Sequence, residues 1–310
     1  HHLATQLANA GIETFWGDWA RRGDSPHPLL HILGPDDEVC LRGAAVIIYY
    51  PHHYPQLAEY DQPFVIYDVL DDISIHAESD RVQKLPPGFR AVDYHQKLLA
   101  EADLVVTSSR VLYHRIREQR PDALLIPNGV DLAHFMPTQK TSNSAPVIGF
   151  HGAIAEWFDF DLLAEVARQR PEYQFRLIGP ASVRLNTLTA LPNITHRGPV
   201  AYEKIPAQVV RFDVGILPFR LNELTHAVRP LKVLEYLAMG IPVVATPLKE
   251  LKDWPGVFTA TTPEQFAVAL DKALAMKNAI REDEQVRAFI DAADWGEAAR
   301  PLVEAIKQKF

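Results

Sequence analysis

Lys232 and Glu235 stand three residues apart just after Arg229-Pro230-Leu231, so a helix beginning here carries a cation and a carboxylate on one side of its first turns. The first N–H groups of a helix lack an intrahelical partner, and that end bears partial positive charge. With an ammonium added, it suits a phosphate. The same spacing fits a solvated ion pair on an ordinary helix, and the stretch alone leaves the two readings even. Upstream, Gly149-Phe150-His151-Gly152-Ala153 offers glycines that let a backbone approach a ligand closely and N–H groups that can cradle phosphate. It lacks the G-x-G-x-x-G spacing and the Walker lysine, so by itself a tight β–α turn is the simpler reading. His151 can hydrogen-bond a ligand, though a lone histidine at a strand end more often serves structure. Val214 to Phe219 leads into a polar loop, Arg220 to Val228, containing Asn222, Thr225 and His226. A diphosphate beside Phe219 and Thr225 would meet the helix N–H groups from Leu231 onward together with Arg229 and Lys232. Glu235 would accept from ribose hydroxyls, and charge-assisted bonds of this kind are strong.

A second group of candidates is acidic. Asp68, Asp71 and Asp72 close an apolar run, Phe64 to Val69. A carboxylate at the carboxyl end of a strand can act as general base toward a hydroxyl. Helix N-capping by Asp71 or Asp72 accounts for those two equally well. His52 and His53 follow Pro51 and can face the same edge. Together with His76 they have no H-x-x-x-H spacing and no cysteine partner, so no metal site is expected. No G-x-S-x-G elbow is present.

These residues need strands and helices to place them. Pro230 opens a helix, Leu231, Leu234, Leu237 and Ala238 give it a buried face, and Gly240 stops it before the apolar strand Ile241 to Ala245. Before it, Leu3, Leu7 and Ala10 form a helix ended by Gly11, followed by strands at Ile12 to Trp16, Leu29 to Leu33, Ala45 to Tyr50 and Phe64 to Val69. A helix from Phe89 to Ala102, a strand from Asp103 to Ser108, a helix from Ser109 to Gln119 and a strand from Ala123 to Ile126 follow. Polar residues from Met136 to Pro146 read as a linker. The alternation then restarts with strands at Val147 to Phe150, Tyr173 to Ile178, Asn193 to His196, Asp213 to Leu217 and near Val257. Helices are expected at Asp161 to Gln169, Tyr202 to Val210, Pro263 to Met276, Glu282 to Ala292 and Gly296 to Lys309. Apolar strands alternating with helices imply an α/β protein of two doubly wound parallel-sheet domains, with ligands taken in the cleft between them. The domains fall at 1–138 and 147–294, with a linker at 139–146 and a last helix in 295–310.

Composition narrows the class. The chain of 310 residues is 47% hydrophobic and 23% charged, as expected of a globular protein with sizeable cores. Its formal charge of −8 excludes a nucleic-acid binder working by bulk electrostatics. No apolar run approaches the ~18 residues of a membrane span, so membrane contact is at most peripheral, at the inner face. Cys40 is the sole cysteine, which rules out an intrachain disulfide and suits a reducing cytoplasm. His1-His2-Leu3 starts directly in a helical pattern without a signal peptide. A parallel domain ordinarily begins with a strand, so either a strand and loop precede His1 or the two histidines are a tag remnant.

Several segments together resemble a known family. Ala102-Asp103-Leu104-Val105-Val106-Thr107-Ser108-Ser109 and Ile126-Pro127-Asn128-Gly129-Val130-Asp131, with Phe135 four on, are similar to the end of the N-terminal domain in GT-B retaining glycosyltransferases of the group 1 (GT4-like) family. Gly149 to Gly152, Phe175 to Gly179, Asn193-Ile194 with Gly198, Asp213 to Phe219 and Arg229 to Thr246 continue the resemblance in order. It implies the GT-B fold of two Rossmann-like domains, a last helix crossing back to the first, and transfer of a sugar from a UDP- or GDP-linked donor. The acceptor would be a glycan or lipid-linked hydroxyl, and no cofactor or metal is implied. Glu235 matches the second glutamate of an E-x7-E motif that holds the ribose; Ala227 stands where the first would be. That departure resembles a subgroup acting in cell-surface, teichuronic-acid-type polysaccharide assembly. The family's basic pair after Gly152 is absent, where Glu156 to Asp159 are acidic and aromatic, and Arg229 and Lys232 are its substitutes. The family's N-terminal histidine is missing too, with Asp68, Asp71 and Asp72 in its region. Two rival readings are a catalytically degenerate GT-B scaffold and a nucleotide-sugar epimerase.

Overall fold

The computed structural model describes residues 2–17, 27–33, 42–73, 91–136 and 143–310. The start of the helix expected from Phe89, His76, Cys40 and half of the 139–146 linker lie outside them. Contacts divide the chain into two compact units: 1–128 with 227–229 and 295–310, and 129–226 with 230–294.

The first unit runs α1 (His2–Asn9), β1 (Thr14–Gly17), β2 (Leu30–Leu33), β3 (Ala45–Ile48), β4 (Phe64–Val69), α2 (Ala91–Glu101), β5 (Leu104–Thr107), α3 (Arg110–Ile116) and β6 (Leu124–Leu125). β3-β4-β5-β6 form one parallel sheet in that order, and β1-β2 a parallel pair. The segment Pro51–Glu59, after β3, is a 3-10 helix that periodicity had left unassigned. Side chains alternate along β4. Ile66 faces Leu3, Leu7 and the C-terminal helix residues Ala299, Leu302 and Ile306, whereas Tyr67 and Val69 face Leu98, Leu99 and Leu112 of α2 and α3. The sheet is therefore covered on both faces. Tyr67 Oη lies 2.7 Å from His95 Nδ1, and burial pushes the His95 imidazole down to about 4, so the tyrosine donates to a neutral ring.

The second unit runs β7 (Val147–His151), α4 (Phe160–Gln169), β8 (Gln174–Ile178), α5 (Asn186–Thr189), β9 (Ile194–His196), α6 (Ile205–Val209), β10 (Val214–Leu217), α7 (Glu223–Ala227), α8 (Leu231–Ala238), β11 (Val243–Ala245), β12 (Val257–Thr259), α9 (Pro263–Met276) and α10 (Glu284–Asp291). The C-terminal helix α11 (Trp295–Lys309) belongs to the first unit. The sheet is all parallel, in the order β12-β11-β10-β7-β8-β9. Counted from β7 this is 3-2-1-4-5-6 read from the other edge, the Rossmann order, whose direction reverses between β7 and β10. Ligands of such sheets bind outside the carboxyl ends of the strands at that reversal. Capping follows the sequence: Asp159 caps α4, and Thr262 and Gln265 form a capping box on α9.

One buried carboxylate ties this sheet together. Asp213 Oδ2 accepts from the Val147 N–H (2.8 Å) and Asn143 Nδ2 (2.9 Å), and its Oδ1 faces Lys277 Nζ at 3.1 Å. Asp213→Ala leaves the first N–H of β7 without its acceptor and is expected to lower stability by about 3 kcal/mol. Urea unfolding reads this directly; an unchanged midpoint would refute it.

Candidate functional site

At the β7–β10 reversal, helix α8 lies hard against the sheet. A Cβ on Gly215 of β10 would fall 2.4 Å from the Tyr236 ring, so only glycine admits that ring. Tyr236 is fully buried, and its hydroxyl accepts from the His151 backbone N–H at 2.9 Å, fixing the last residue of β7 to α8. The next residue, Gly152, has φ +130°, and the Lys232 side chain crosses directly over it; a Cβ there would lie 1.8 Å from Lys232 Cε. The Lys232 ammonium sits 6.0 Å from the Phe150 ring centroid and has no hydrogen-bond or ion-pair partner among the described residues. Desolvation by burial holds it below the ordinary lysine value, with Glu235 acting in the opposite direction. The backbone N–H groups of exposed Ala153 and of Leu231 and Lys232 are likewise without acceptors among the described residues. The arrangement is a cation beside unpaired N–H groups at a helix start. It is built to take an anion.

Glu235 does not form the solvated pair with Lys232 that the spacing also allowed. Its Oε2 lies 3.1 Å from His151 Nε2, and both side chains are largely buried. An aromatic wall surrounds this contact. Asp131 caps the turn that follows it, accepting from the His134 N–H at 3.0 Å and, through its carbonyl, from Phe135 N–H at 2.9 Å. The Phe135 ring lies parallel to His151 at 6.4 Å, and Tyr202 stacks on His134 at 4.3 Å. Burial, then the charge of Glu235, raises the Tyr202 phenol above its ordinary value.

Residues 145–276 match the family model described as glycosyl transferases group 1. That stretch is similar to the group 1 glycosyltransferases. A curated relative, TuaH of Bacillus subtilis (strain 168), whose name assigns it to teichuronic acid biosynthesis as a glycosyltransferase, is 27% identical over 228 residues, covering 67% of this chain. The match spans 57% of that relative's length. Among solved structures, sucrose-phosphate synthase from Thermosynechococcus elongatus superposes with a TM-score of 0.76 at 17% identity, covering 99% of this chain and 91% of that one. Anabaena Alr3699/HepE, solved in complex with UDP, superposes with a TM-score of 0.64 at 14% identity, over 99% and 96% of the two chains. The fold is GT-B, with two Rossmann-like units.

Within the matched stretch, Gly152, Ala153, His151, Leu231, Lys232 and Glu235 come together at the β7–β10 reversal. Three other sequence candidates do not join them. Phe219 is a core side chain, 6.3 Å from the Phe150 ring, with its N–H and carbonyl both bonded to Thr246 Oγ1 (3.2 and 2.7 Å). Thr225 lies in α7, a short helix where a polar loop was expected. Its hydroxyl donates to the Arg220 carbonyl (2.6 Å) and accepts from the Asn222 N–H (3.1 Å), so it holds the turn rather than a ligand. Arg229 falls in the first unit, where its Nε donates to the Asn128 carbonyl at 2.8 Å while Asn128 Nδ2 donates to the Arg229 carbonyl at 3.3 Å. Pro230 proves to be the N-cap, so the helix starts at Leu231 and not at the proline. His134, Tyr202 and Tyr236 were missed as parts of the site.

The three aspartates of the first unit separate sharply. Asp72 is buried against Arg115 of α3 in an ion pair, and Asp71 is half-buried with partners of its own. Asp68 is buried on the Ile66 face of β4 with no partner among the described residues, and burial raises its carboxyl to about 7. Extending the β3–β4 register by one residue sets Tyr49 beside it, and burial, then the charge of Asp68, raises the Tyr49 phenol. Trp16 packs on Tyr49 at 5.3 Å with its buried Nε1 unbonded. Among the described residues no group of three or more His, Cys, Asp or Glu is placed to hold a metal ion, and no helix is long and apolar enough to cross a membrane.

Proposed function

We propose that this protein transfers a sugar from a nucleoside diphosphate donor, UDP- or GDP-linked, to a hydroxyl of a glycan or lipid-linked acceptor in cell-surface polysaccharide assembly. Retention at the anomeric carbon is what the resemblance to GT4-like enzymes implies. The observation that carries the reading is Lys232, a partly desolvated ammonium with no partner among the described residues, lying across Gly152 at the reversal of a Rossmann sheet. A lysine left so has lost hydration without gaining a protein partner, and a diphosphate supplies one. Bond breaking places negative charge on the leaving diphosphate. Fixed donors aimed at that charge stabilise the transition state more than the ground state. On this reading Lys232 and the N–H groups of Ala153, Leu231 and Lys232 meet it, and no metal is called on. Glu235 accepts from the ribose hydroxyls. On the acceptor side Asp68 receives the hydrogen bond of the attacking hydroxyl, with the Tyr49 hydroxyl and Trp16 N–H as further polar partners. The polysaccharide assignment follows the name of the Bacillus relative.

Calorimetry with UDP, GDP and ADP tests the core of this. One of the three is expected to bind, and Glu235→Ala to remove most of that affinity. Failure of all three at millimolar concentration, or full affinity in Glu235→Ala, would sink the assignment.

A further inference from the structure

We infer that His151 is a positioning residue that holds Glu235 away from Lys232, so that the carboxylate serves the ribose and the ammonium serves the phosphates. The inference rests on the nucleotide reading above and assigns a role inside that site. The motivating feature is a buried ring nitrogen: His151 Nε2 is shut off from solvent, lies 3.1 Å from Glu235 Oε2, and has no in-line hydrogen bond to any described residue.

The imidazole is fixed from several sides. Its own backbone N–H donates to Tyr236 Oη at 2.9 Å, its face lies parallel to Phe135, and the Tyr236 ring meets it edge-on at 5.1 Å. A ring so confined cannot follow a moving partner, so the glutamate must come to it. Glu235 has the longer and freer side chain, and its two oxygens can accept separately. With Oε2 against His151, Oε1 remains for a ribose hydroxyl. Lys232 and Glu235 are on neighbouring positions of α8, where opposite charges three apart pair readily. Without the imidazole, the carboxylate's nearest counter-charge is Lys232. Pairing between them would withdraw both groups from the nucleotide. The imidazole thus separates two charges that the helix spacing would otherwise bring together.

The test uses the full chain and two ligands: UDP, or GDP if calorimetry selects it, and the 2′,3′-dideoxy form of the same nucleotide. His151→Phe keeps a flat ring and removes the nitrogen; His151→Gln restores an N–H near the Nε2 position. Expected is a loss of about tenfold or more in diphosphate affinity for His151→Phe, with most of it recovered in His151→Gln. The dideoxy ligand, which cannot engage Glu235, should lose severalfold less than the diphosphate, through Lys232 alone. Equal losses for the two ligands would make His151 a packing residue and overturn the inference, as would no loss for either. In the unaltered protein, the His151 imidazole nitrogen resonances should move on adding the diphosphate and stay in place with the dideoxy form. That readout stands even if His151→Phe does not fold, and identical shifts with both ligands would also overturn the inference. Absence of diphosphate binding to the unaltered protein would instead remove the nucleotide reading itself.

Discussion

Alanine at position 152 is expected to weaken nucleoside diphosphate binding about tenfold to a hundredfold, nearly as much as losing the Lys232 ammonium itself. The new methyl would fall where Lys232 Cε now lies, at 1.8 Å, and the far end of a lysine yields more easily than a strand end. The fold therefore survives with a displaced cation, less some stability because φ +130° is unfavourable for any residue with a Cβ. Gly179 provides the contrast. Its φ is +134°, and a Cβ there would meet the Gly152 carbonyl oxygen at 2.1 Å, so backbone and not side chain must move. Gly179→Ala is expected to lower the melting temperature more than Gly152→Ala. Lys232→Met should match Gly152→Ala in lost affinity but raise the melting temperature of the free protein, since a partly buried cation with no partner among the described residues is removed. Calorimetry and thermal melting on the three variants decide the matter. Tight binding by Lys232→Met would remove the ammonium from the site.

How much of this was legible beforehand varies with the length scale of the signal. The strands of the second unit were placed within about two residues, because most are short apolar runs closed by Gly or Pro, as buried parallel strands often are. The helix α7 was also encoded locally but read as loop: Asn222 and Thr225 exchange reciprocal bonds, Thr225 N–H to Asn222 Oδ1 at 2.9 Å, and Asn-x-x-Thr is the capping-box pattern. Arg229 went astray for a different reason. Three residues before Lys232 in sequence, it turns to Asn128, a partner 101 positions away that no periodicity reports. The His151–Glu235 contact and the wall of Phe135, His134 and Tyr202 depend on three segments meeting at one sheet edge. Sequence supplied each residue and not their meeting. Asp68 and Asp72 are equally buried, and what separates them is the arginine on α3 that pairs with Asp72, a partner 43 positions away that no local pattern reports.

Asp68→Asn should make the protein more stable at alkaline pH and far less active, and both effects have one cause. In the unfolded chain an aspartate titrates near 3.8, and burial in β4 raises it to about 7. Below 3.8 the carboxyl is protonated in both states and costs nothing. Between these values only the unfolded state releases its proton, so stability falls as pH rises and the loss is complete above about 7. Three pKa units correspond to about 4 kcal/mol as an upper bound. Asparagine is neutral throughout, so the gain in melting temperature over the unaltered protein should grow from pH 4 to 7 and level off by pH 8. A purely structural carboxylate would show the reverse, because its neutral isostere would break bonds that the charge makes. Turnover should fall about a hundredfold or more, the range of a lost proton-transfer partner, with diphosphate affinity unchanged because the nucleotide groups lie in the other unit. Release of nucleoside diphosphate in the presence of acceptor measures the first and calorimetry the second. An Asp68→Asn protein that melts lower at pH 8 and keeps its turnover would return Asp68 to the scaffold. A carboxyl buried at the carboxyl end of a strand against its own stability, with no partner among the described residues, is what the proposed hydroxyl contact would require.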